Sequence, residues 1–209
     1  MKKSLLELTA ARYNRIAGIY DFLESMSEGR MKPWREQLWA LARGQRILEV
    51  GVGTGKNIPY HPPGASVTGI DVAEKMLVRA RARAARLGSR TCFLEADVQA
   101  LPFQDDSFDT AVATFVFCSV PDPVIGLQEL NRVVRPGGRI LLLEHVRIDR
   151  PVAGRIMDFL NPVVVRIYGA NINRRTVENV QRAGLAIKSI EHLGPQGMVK
   201  LIEAQPLKS

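Results

Sequence analysis

One stretch constrains this chain more than any other: Arg46-Ile47-Leu48-Glu49-Val50-Gly51-Val52-Gly53-Thr54-Gly55-Lys56-Asn57. The apolar run Ile47, Leu48, Val50 suits a strand buried in a parallel sheet. It then breaks into glycines at alternate positions. Glycine is needed where backbone must come close to a ligand, because a Cβ would stand in the way. In an open α/β sheet, ligands bind beyond the carboxyl ends of the strands, where this turn would lie. A phosphate-binding loop needs four residues between its first glycine and Gly-Lys, then Ser or Thr for a metal. Gly51 is too close to Gly55-Lys56, and Asn57 follows the lysine, so that reading fails. A dinucleotide site wants G-x-G-x-x-G, and here the third glycine comes one residue early. An ordinary glycine-rich βα turn is the plain alternative.

Two further acids belong with this turn. Ser66 to Ile70 reads as a β-branched strand ending at Asp71, 22 positions after Glu49. An acid there can accept both ribose hydroxyls of a nucleoside. Thr91 to Glu95 reads as a third strand leading to Asp97. A nucleoside that carries positive charge suits a site rimmed by carboxylates. Each acid could instead cap the helix after its strand; Asp71 fits that role, since a helix from Ala73 to Leu87 follows.

The rest of the chain supplies a sheet and its cover. Thr110 to Phe117 is nearly all apolar and reads as a central strand. A helix from Val124 to Val134 closes at Arg135-Pro136-Gly137-Gly138, and a fifth strand runs from Arg139 to Glu144. Leu185–Leu193 and Met198–Ala204 provide the last two strands. Upstream, Tyr13, Ile16, Tyr20, Leu23 and Ser27 share one helical face. The pattern predicts a break near Ser27–Arg30, then a second helix opened by Pro33 and ending near Gly44. Between Arg174 and Ala183 a helix is expected, with Asn173 as its N-cap and Gly184 beyond its end.

Length and charge bound the possibilities. The 209 residues suit one domain, 1–209, with a full core. No apolar run reaches the roughly 18 residues of a membrane span, and the charged start is not a secretory signal. Cys92 and Cys118 lie in apolar strand contexts and read as reduced core residues of a cytosolic protein. The net charge of +8 suits an acidic partner surface such as anionic lipid. Nucleic acid is not the expected partner: Arg79, Arg81, Arg83 and Arg86 form a solvated face with no interleaved aromatics. Residues 147–173 mix arginines with apolar residues, and Pro162 would kink or split the helix. That mixture suits a lid packed on the core or a surface lying in a lipid interface. No His, Cys and acid cluster has metal-ligand spacing.

Taken together, Glu49-x-Gly51-x-Gly53-x-Gly55, Ile70-Asp71, Ala96-Asp97, Leu101-Pro102-Phe103 and Arg135-Pro136-Gly137-Gly138 resemble the motif series of class I S-adenosylmethionine-dependent methyltransferases. The resemblance covers about residues 11 to 146. It implies a Rossmann-like α/β fold: a seven-stranded, mostly parallel sheet with the last strand antiparallel, helices on both faces, and an N-terminal helical cover over residues 1–42. It implies S-adenosyl-L-methionine as cofactor, S-adenosyl-L-homocysteine as product, and a site built from Glu49, Gly51, Gly53, Gly55, Asp71, Val72, Met76, Asp97, Val98 and Thr114. The segment Tyr13 to Asp21 resembles the cover helix of lipid- and quinone-type methyltransferases. Phe117-Cys118-Ser119-Val120 with Glu144-His145-Val146 resembles bacterial phospholipid N-methyltransferases and membrane-associated thiol methyltransferases. Quinone C-methyltransferases carry a Gly-Leu-Arg-Asn-type stretch after strand four, from which this chain departs.

The expected function is methylation of a phospholipid headgroup amine, such as that of phosphatidylethanolamine, by a cytosolic enzyme bound peripherally to an anionic membrane. Quinone-precursor or small-thiol methylation is the alternative chemistry, and a non-catalytic nucleoside-binding module the alternative class. An amine must lose a proton, so His145 and Tyr20 are the catalytic candidates; His145 could equally be a structural hydrogen-bonding residue. Tyr13, Glu144, Arg147, Arg150 and Tyr168 are the candidates for holding a lipid or lipophilic substrate.

Overall fold

The computed structural model describes residues 5–148, 151–168 and 171–208, with the side chains of 19, 21–28, 151, 153, 163 and 166–168 outside the described set. The sheet is built from β1 (Arg46–Val50), β2 (Ser66–Asp71), β3 (Cys92–Glu95), β4 (Phe108–Thr114), β5 (Val134–His145), β6 (Leu185–Leu193) and β7 (Val199–Pro206). Their order is β3-β2-β1-β4-β5-β7-β6. Strands β1 to β5 pair in parallel, and β7 runs antiparallel to both its neighbours. The chain winds outward from β1 to β3 and then returns to β4 beside β1. That reversal opens a crevice beyond the carboxyl ends of β1 and β4.

Helices cover both faces, for a reason visible in the strand residues. Apolar residues occupy consecutive positions in β1, β4 and β5, so each face of the sheet needs cover. Leu48, Ala111 and Leu142 meet Leu127 and Leu130 of α3 (Pro123–Val133) and Val180 of α5 (Thr176–Arg182). Ile47, Val112 and Leu141 meet Leu38 and Trp39 of α1 (Leu5–Ala40). The remaining helices are α2 (Glu74–Leu87) and α4 (Pro151–Tyr168). Among the described residues no helix is long and apolar enough to cross a membrane.

Several boundaries differ from the sequence expectation, each for a physical reason. α1 runs unbroken, with Pro33 inside it. Interior proline costs about 3 kcal/mol. Here Tyr13, Ile16 and Ala17 pack on Ala73 and Met76 near one end, and Trp34, Leu38 and Trp39 on the sheet near the other, which offsets that cost. The expected face residues Leu23 and Ser27 have side chains outside the described set. β4 stops at Thr114 instead of Phe117, because Phe115 turns the chain with φ +56°. The Arg135–Gly138 turn is absorbed into β5 as an irregularity, where the register jumps from Phe108↔Val134 to Thr110↔Arg139. A Cβ at Gly138 would lie 2.7 Å from the Asp109 carbonyl, so only glycine lets the bulge lie that close. Asn173 does not cap α5; its side chain donates to Asp158 of α4, and Arg175 occupies the cap position. Cys92 is exposed on the edge strand β3, and Cys118 is buried.

Asp109 closes the opposite end of the sheet. Its carboxylate accepts the Gln45 and Arg46 amides at 2.8 and 2.9 Å and the Arg135 guanidinium at 2.7 Å. The Arg46 amide, with help from Arg135, holds its pKa down to about 2.

Candidate active site

The glycine turn is shaped by what it must avoid. Gly51 has φ +62°, and a Cβ there would lie 2.5 Å from the Val116 side chain. Gly53 has φ +55°, and its Cβ would meet no atom nearer than 3.9 Å. The first glycine is thus required by packing, and the second faces open space. Gly55 packs on Ile58 and Ala80.

Asp71 ties this turn to β2. Its Oδ2 accepts the Gly53 amide and its Oδ1 the Ala73 amide, both at 2.9 Å. Burial pushes its pKa up to about 6, against the pull of the Ala73, Gly53 and Val72 amides. The Ala96 amide donates to the Asp71 carbonyl, which sets Asp97 alongside. Asp97 receives the Gln99 backbone amide at 2.9 Å and its side-chain amide on both oxygens at 3.0–3.1 Å.

Beyond the ends of β1, β2 and β4 lies a cavity with about 710 Å³ of empty space. Gly51, Gly53, Asp71, Val72, Met76, Asp97, Val98 and Thr114 line it, as do Tyr13 and Tyr20 from α1. Tyr13 and Tyr20 meet edge to face, with centroids 6.3 Å apart. The Tyr13 hydroxyl lies 2.7 Å from Ser119 Oγ, so α1 is fastened to the turn after β4 across the cavity. Among the described lining residues there is no Lys, Arg or His. A smaller space of about 350 Å³ shares Tyr20, Gly51, Gly53, Thr114 and Phe115 with it and adds Arg35, Lys56 and Asn57. The combined site therefore runs from an acidic end to a basic one.

Other expected residues are not brought to the larger cavity. Glu49 faces the α1 side, almost fully buried. Asn57 Nδ2 donates to its Oε1 and His61 Nε2 lies 2.8 Å from its Oε2. Arg35 donates to Asn57 in turn, at 2.7 Å. His145 stacks on Phe115 at 4.4 Å, and it is Phe115 that lines the cavity. Glu144 is buried beneath the turn after β4. Alternation along β5 explains the split: adjacent residues face opposite sides of the sheet. Arg147 makes three contacts of 2.8–3.2 Å with Asp158 of α4 and lines a separate cleft with Arg174, Arg175 and Lys200. Arg150 lies outside the described residues, as does the side chain of Tyr168.

Sequence reasoning missed Leu6 and Thr9 of α1, and Phe115, Val116, Ser119, Val120 and Pro121 after β4. The β4 group could have been found, because ligands gather at the carboxyl ends of strands flanking a switch point. Reading Phe115–Phe117 as strand concealed it.

A methyltransferase domain family matches residues 48–142. A phosphatidylethanolamine N-methyltransferase of Cereibacter sphaeroides is 38% identical over 148 residues, spanning 69% of this chain and 71% of that protein. The present chain belongs to the class I S-adenosylmethionine-dependent methyltransferases. This methyltransferase is also 36% identical over 167 residues to a ubiquinone/menaquinone biosynthesis C-methyltransferase of Paracoccus denitrificans, covering 75% of this chain and 66% of the relative. A solved S-adenosylmethionine-dependent methyltransferase of Thermotoga maritima shares the fold, with a TM-score of 0.73 at 20% identity over 95% of this chain and 99% of the other.

The cofactor is S-adenosyl-L-methionine and the product S-adenosyl-L-homocysteine. The residues present fit that molecule. The open side of Gly53 leaves room for it, the acids suit hydroxyls and a sulfonium, and the Arg35–Lys56 side suits a carboxylate.

Proposed function

We propose that this methyltransferase acts on the headgroup amine of a phospholipid such as phosphatidylethanolamine, at a membrane surface. One observation carries the reading. The larger cavity is walled by Tyr13, Tyr20 and Phe115 beside the acids assigned to the cofactor, and no described lining residue is basic. Aromatic faces attract an ammonium group and its methylated products. A phenolate of a quinone precursor would find no cation there. The relative at 38% identity carries a name with the same chemistry.

The bound cofactor supplies an activated methyl group on a sulfonium. The chain's own residues would hold it: Asp71 would accept its ribose hydroxyls, Asp97 and Val98 would border its base, and Arg35 with Lys56 would meet its carboxylate. α1 excludes water from above, which together with alignment of the reactants supplies most of the rate. The amine must be neutral to attack. The Tyr20 hydroxyl, or Tyr13 with Ser119, stands on the cavity wall where the proton would leave. His145 stands behind Phe115, stacked on its ring, and does not line the cavity.

Membrane contact falls to α4. Val152, Ile156, Phe159 and Leu160 recur at helical spacing and are exposed, Phe159 at 83%. Exposed Arg155 lies in the same helix, and the chain carries +8 overall. An apolar stripe in a basic protein suits the interface of an anionic bilayer.

The 36% identity to a quinone-pathway C-methyltransferase supports the second reading. One assay separates them: a labelled methyl donor with mixed membrane lipids and quinone precursors, followed by identification of the labelled product. Label in N-methylated phosphatidylethanolamine is expected. Label in a quinone, with none in phospholipid, would overturn the proposal.

A further inference from the structure

Glu144 is fully buried near the end of β5, yet it touches nothing in the cavity. Its Oε1 accepts the amides of Val116 at 2.8 Å and Phe117 at 3.1 Å. Its Oε2 has no hydrogen-bond partner among the described residues. A buried carboxyl oxygen without a partner is costly, so its presence here asks for an explanation. The two amides belong to the turn after β4, whose Phe115, Val116, Ser119, Val120 and Pro121 wall the cavity.

That turn has to be held in place. Phe115 adopts φ +56°, a conformation a bulky side chain keeps only when its surroundings impose it. The Phe115 amide donates to the Leu143 carbonyl at 2.7 Å. Asn171 donates twice to the Cys118 carbonyl, with backbone and side-chain nitrogens both at 2.9 Å. Arg174 donates to the Val120 carbonyl at 2.7 Å, and Tyr13 meets Ser119. Glu144 is the one acid in this set.

We propose that Glu144 is a positioning residue for methyl transfer: its two amide contacts fix the turn Phe115–Pro121 and so the shape of the cavity wall, without contact with either reactant. The contact is proton-linked. Burial pushes the Glu144 carboxyl up to about 7, against the Phe117, Val116 and Cys118 amides and the charge of Arg174. An ionised carboxylate accepts amide hydrogens about twice as strongly as a neutral group, so the turn is gripped above neutrality and loosened below it. The groups facing Glu144 are Arg174 before α5, the Cys118 thiol in the turn itself, and Lys200, its cross-strand partner on β7. The thiol is pushed up to about 12 by burial and stays neutral throughout this range. His145 lies on the other side of the sheet against Phe115.

Isotope-labelled wild type, Glu144→Gln and Glu144→Ala would be followed by amide NMR from pH 5.5 to 8.5, with S-adenosylhomocysteine affinity and methyl transfer to phosphatidylethanolamine vesicles measured alongside. In the wild type the Val116 and Phe117 amides should titrate together with a midpoint near 7. Glu144→Gln keeps an acceptor oxygen but no titrating proton. It should hold both amides at pH-independent positions and keep turnover within about threefold of wild type at pH 8. Glu144→Ala should lose about 10- to 100-fold in kcat/KM, the scale of a displaced wall. Flat amide shifts in the wild type, or a wild-type titration in Glu144→Gln, would overturn the proposal, and neither readout needs an acceptor. Absence of lipid methylation by the wild type would instead sink the substrate reading alone.

Discussion

At the scale of single residues, Asp71 should make cofactor affinity depend on pH. Its carboxyl is raised to about 6 by burial, and ribose hydroxyls donate best to the ionised form. Affinity for S-adenosylhomocysteine should therefore be level above pH 7 and fall as pH drops through 6, by at most about tenfold per unit. Asp71→Asn should flatten that limb and weaken binding by roughly 10- to 100-fold. Calorimetry from pH 5 to 8 checks both, and a limb that persists in the variant would remove Asp71 from the ribose site. Phe115 is the second residue to test. It lines both spaces, lies 5.9 Å from the Arg35 guanidinium, and stacks on His145. Phe115→Ala should lower kcat/KM by about tenfold or more, whereas His145→Ala, which removes a ring stacked behind Phe115, should cost less. Steady-state rates for the pair test the order; a larger loss in His145→Ala would return the imidazole to the chemistry.

At the scale of elements, α4 is the piece whose exposed face asks for a partner. Its apolar side chains would each gain about 1.5–3 kcal/mol on full burial. Phe159→Ser with Ile156→Ser should weaken vesicle binding by at least about tenfold and leave S-adenosylhomocysteine affinity unchanged. Sedimentation with liposomes reads the first and calorimetry the second. Retained vesicle binding would move the membrane contact to another element. α1 shows how an element can override its own sequence signals. Gly29 and Pro33 read as a break, but anchors at both ends hold one helix.

At the scale of the whole molecule, the buried acids set a stability profile with an unusual slope. Asp71 and Glu144 have folded-state pKa values raised to about 6 and 7. A raised acid adds stability that is full below its unfolded value and is lost as pH rises through the folded one. Each shift corresponds to a loss on the order of 2–3 kcal/mol. Asp109 works the other way: its depressed pKa contributes stability above pH 4 that is lost as pH falls through about 2. Without cofactor, the protein should be more stable at pH 5 than at pH 8, and Glu144→Gln should reduce the difference. Denaturant titrations at the two pH values measure it. The same pH dependence in wild type and variant would show that burial does not hold the Glu144 pKa above its unfolded value.

The sequence by itself determined the positions of the strands and those cavity-lining residues nearest the chain's own turns. Gly51, Gly53, Asp71 and Asp97 are legible because their roles follow from local facts: a missing Cβ, or an acid at a strand end. The positions of the strands follow from short β-branched and apolar runs in the same way, whereas the seven-stranded count and the antiparallel edge come from the resemblance to class I methyltransferases. Glu49 was legible as an acid but not as the partner of His61, since that pairing joins residues 12 apart through a fold-dependent path. Only the tertiary structure decided that His145 lies behind Phe115, that Arg147 is held by Asp158, and that Glu144 grips the turn after β4. Those outcomes depend on which side of the sheet each side chain faces and on which neighbour wins a hydrogen bond. No periodicity encodes that competition, because the competing partners lie far apart in the chain and meet only when the layers close.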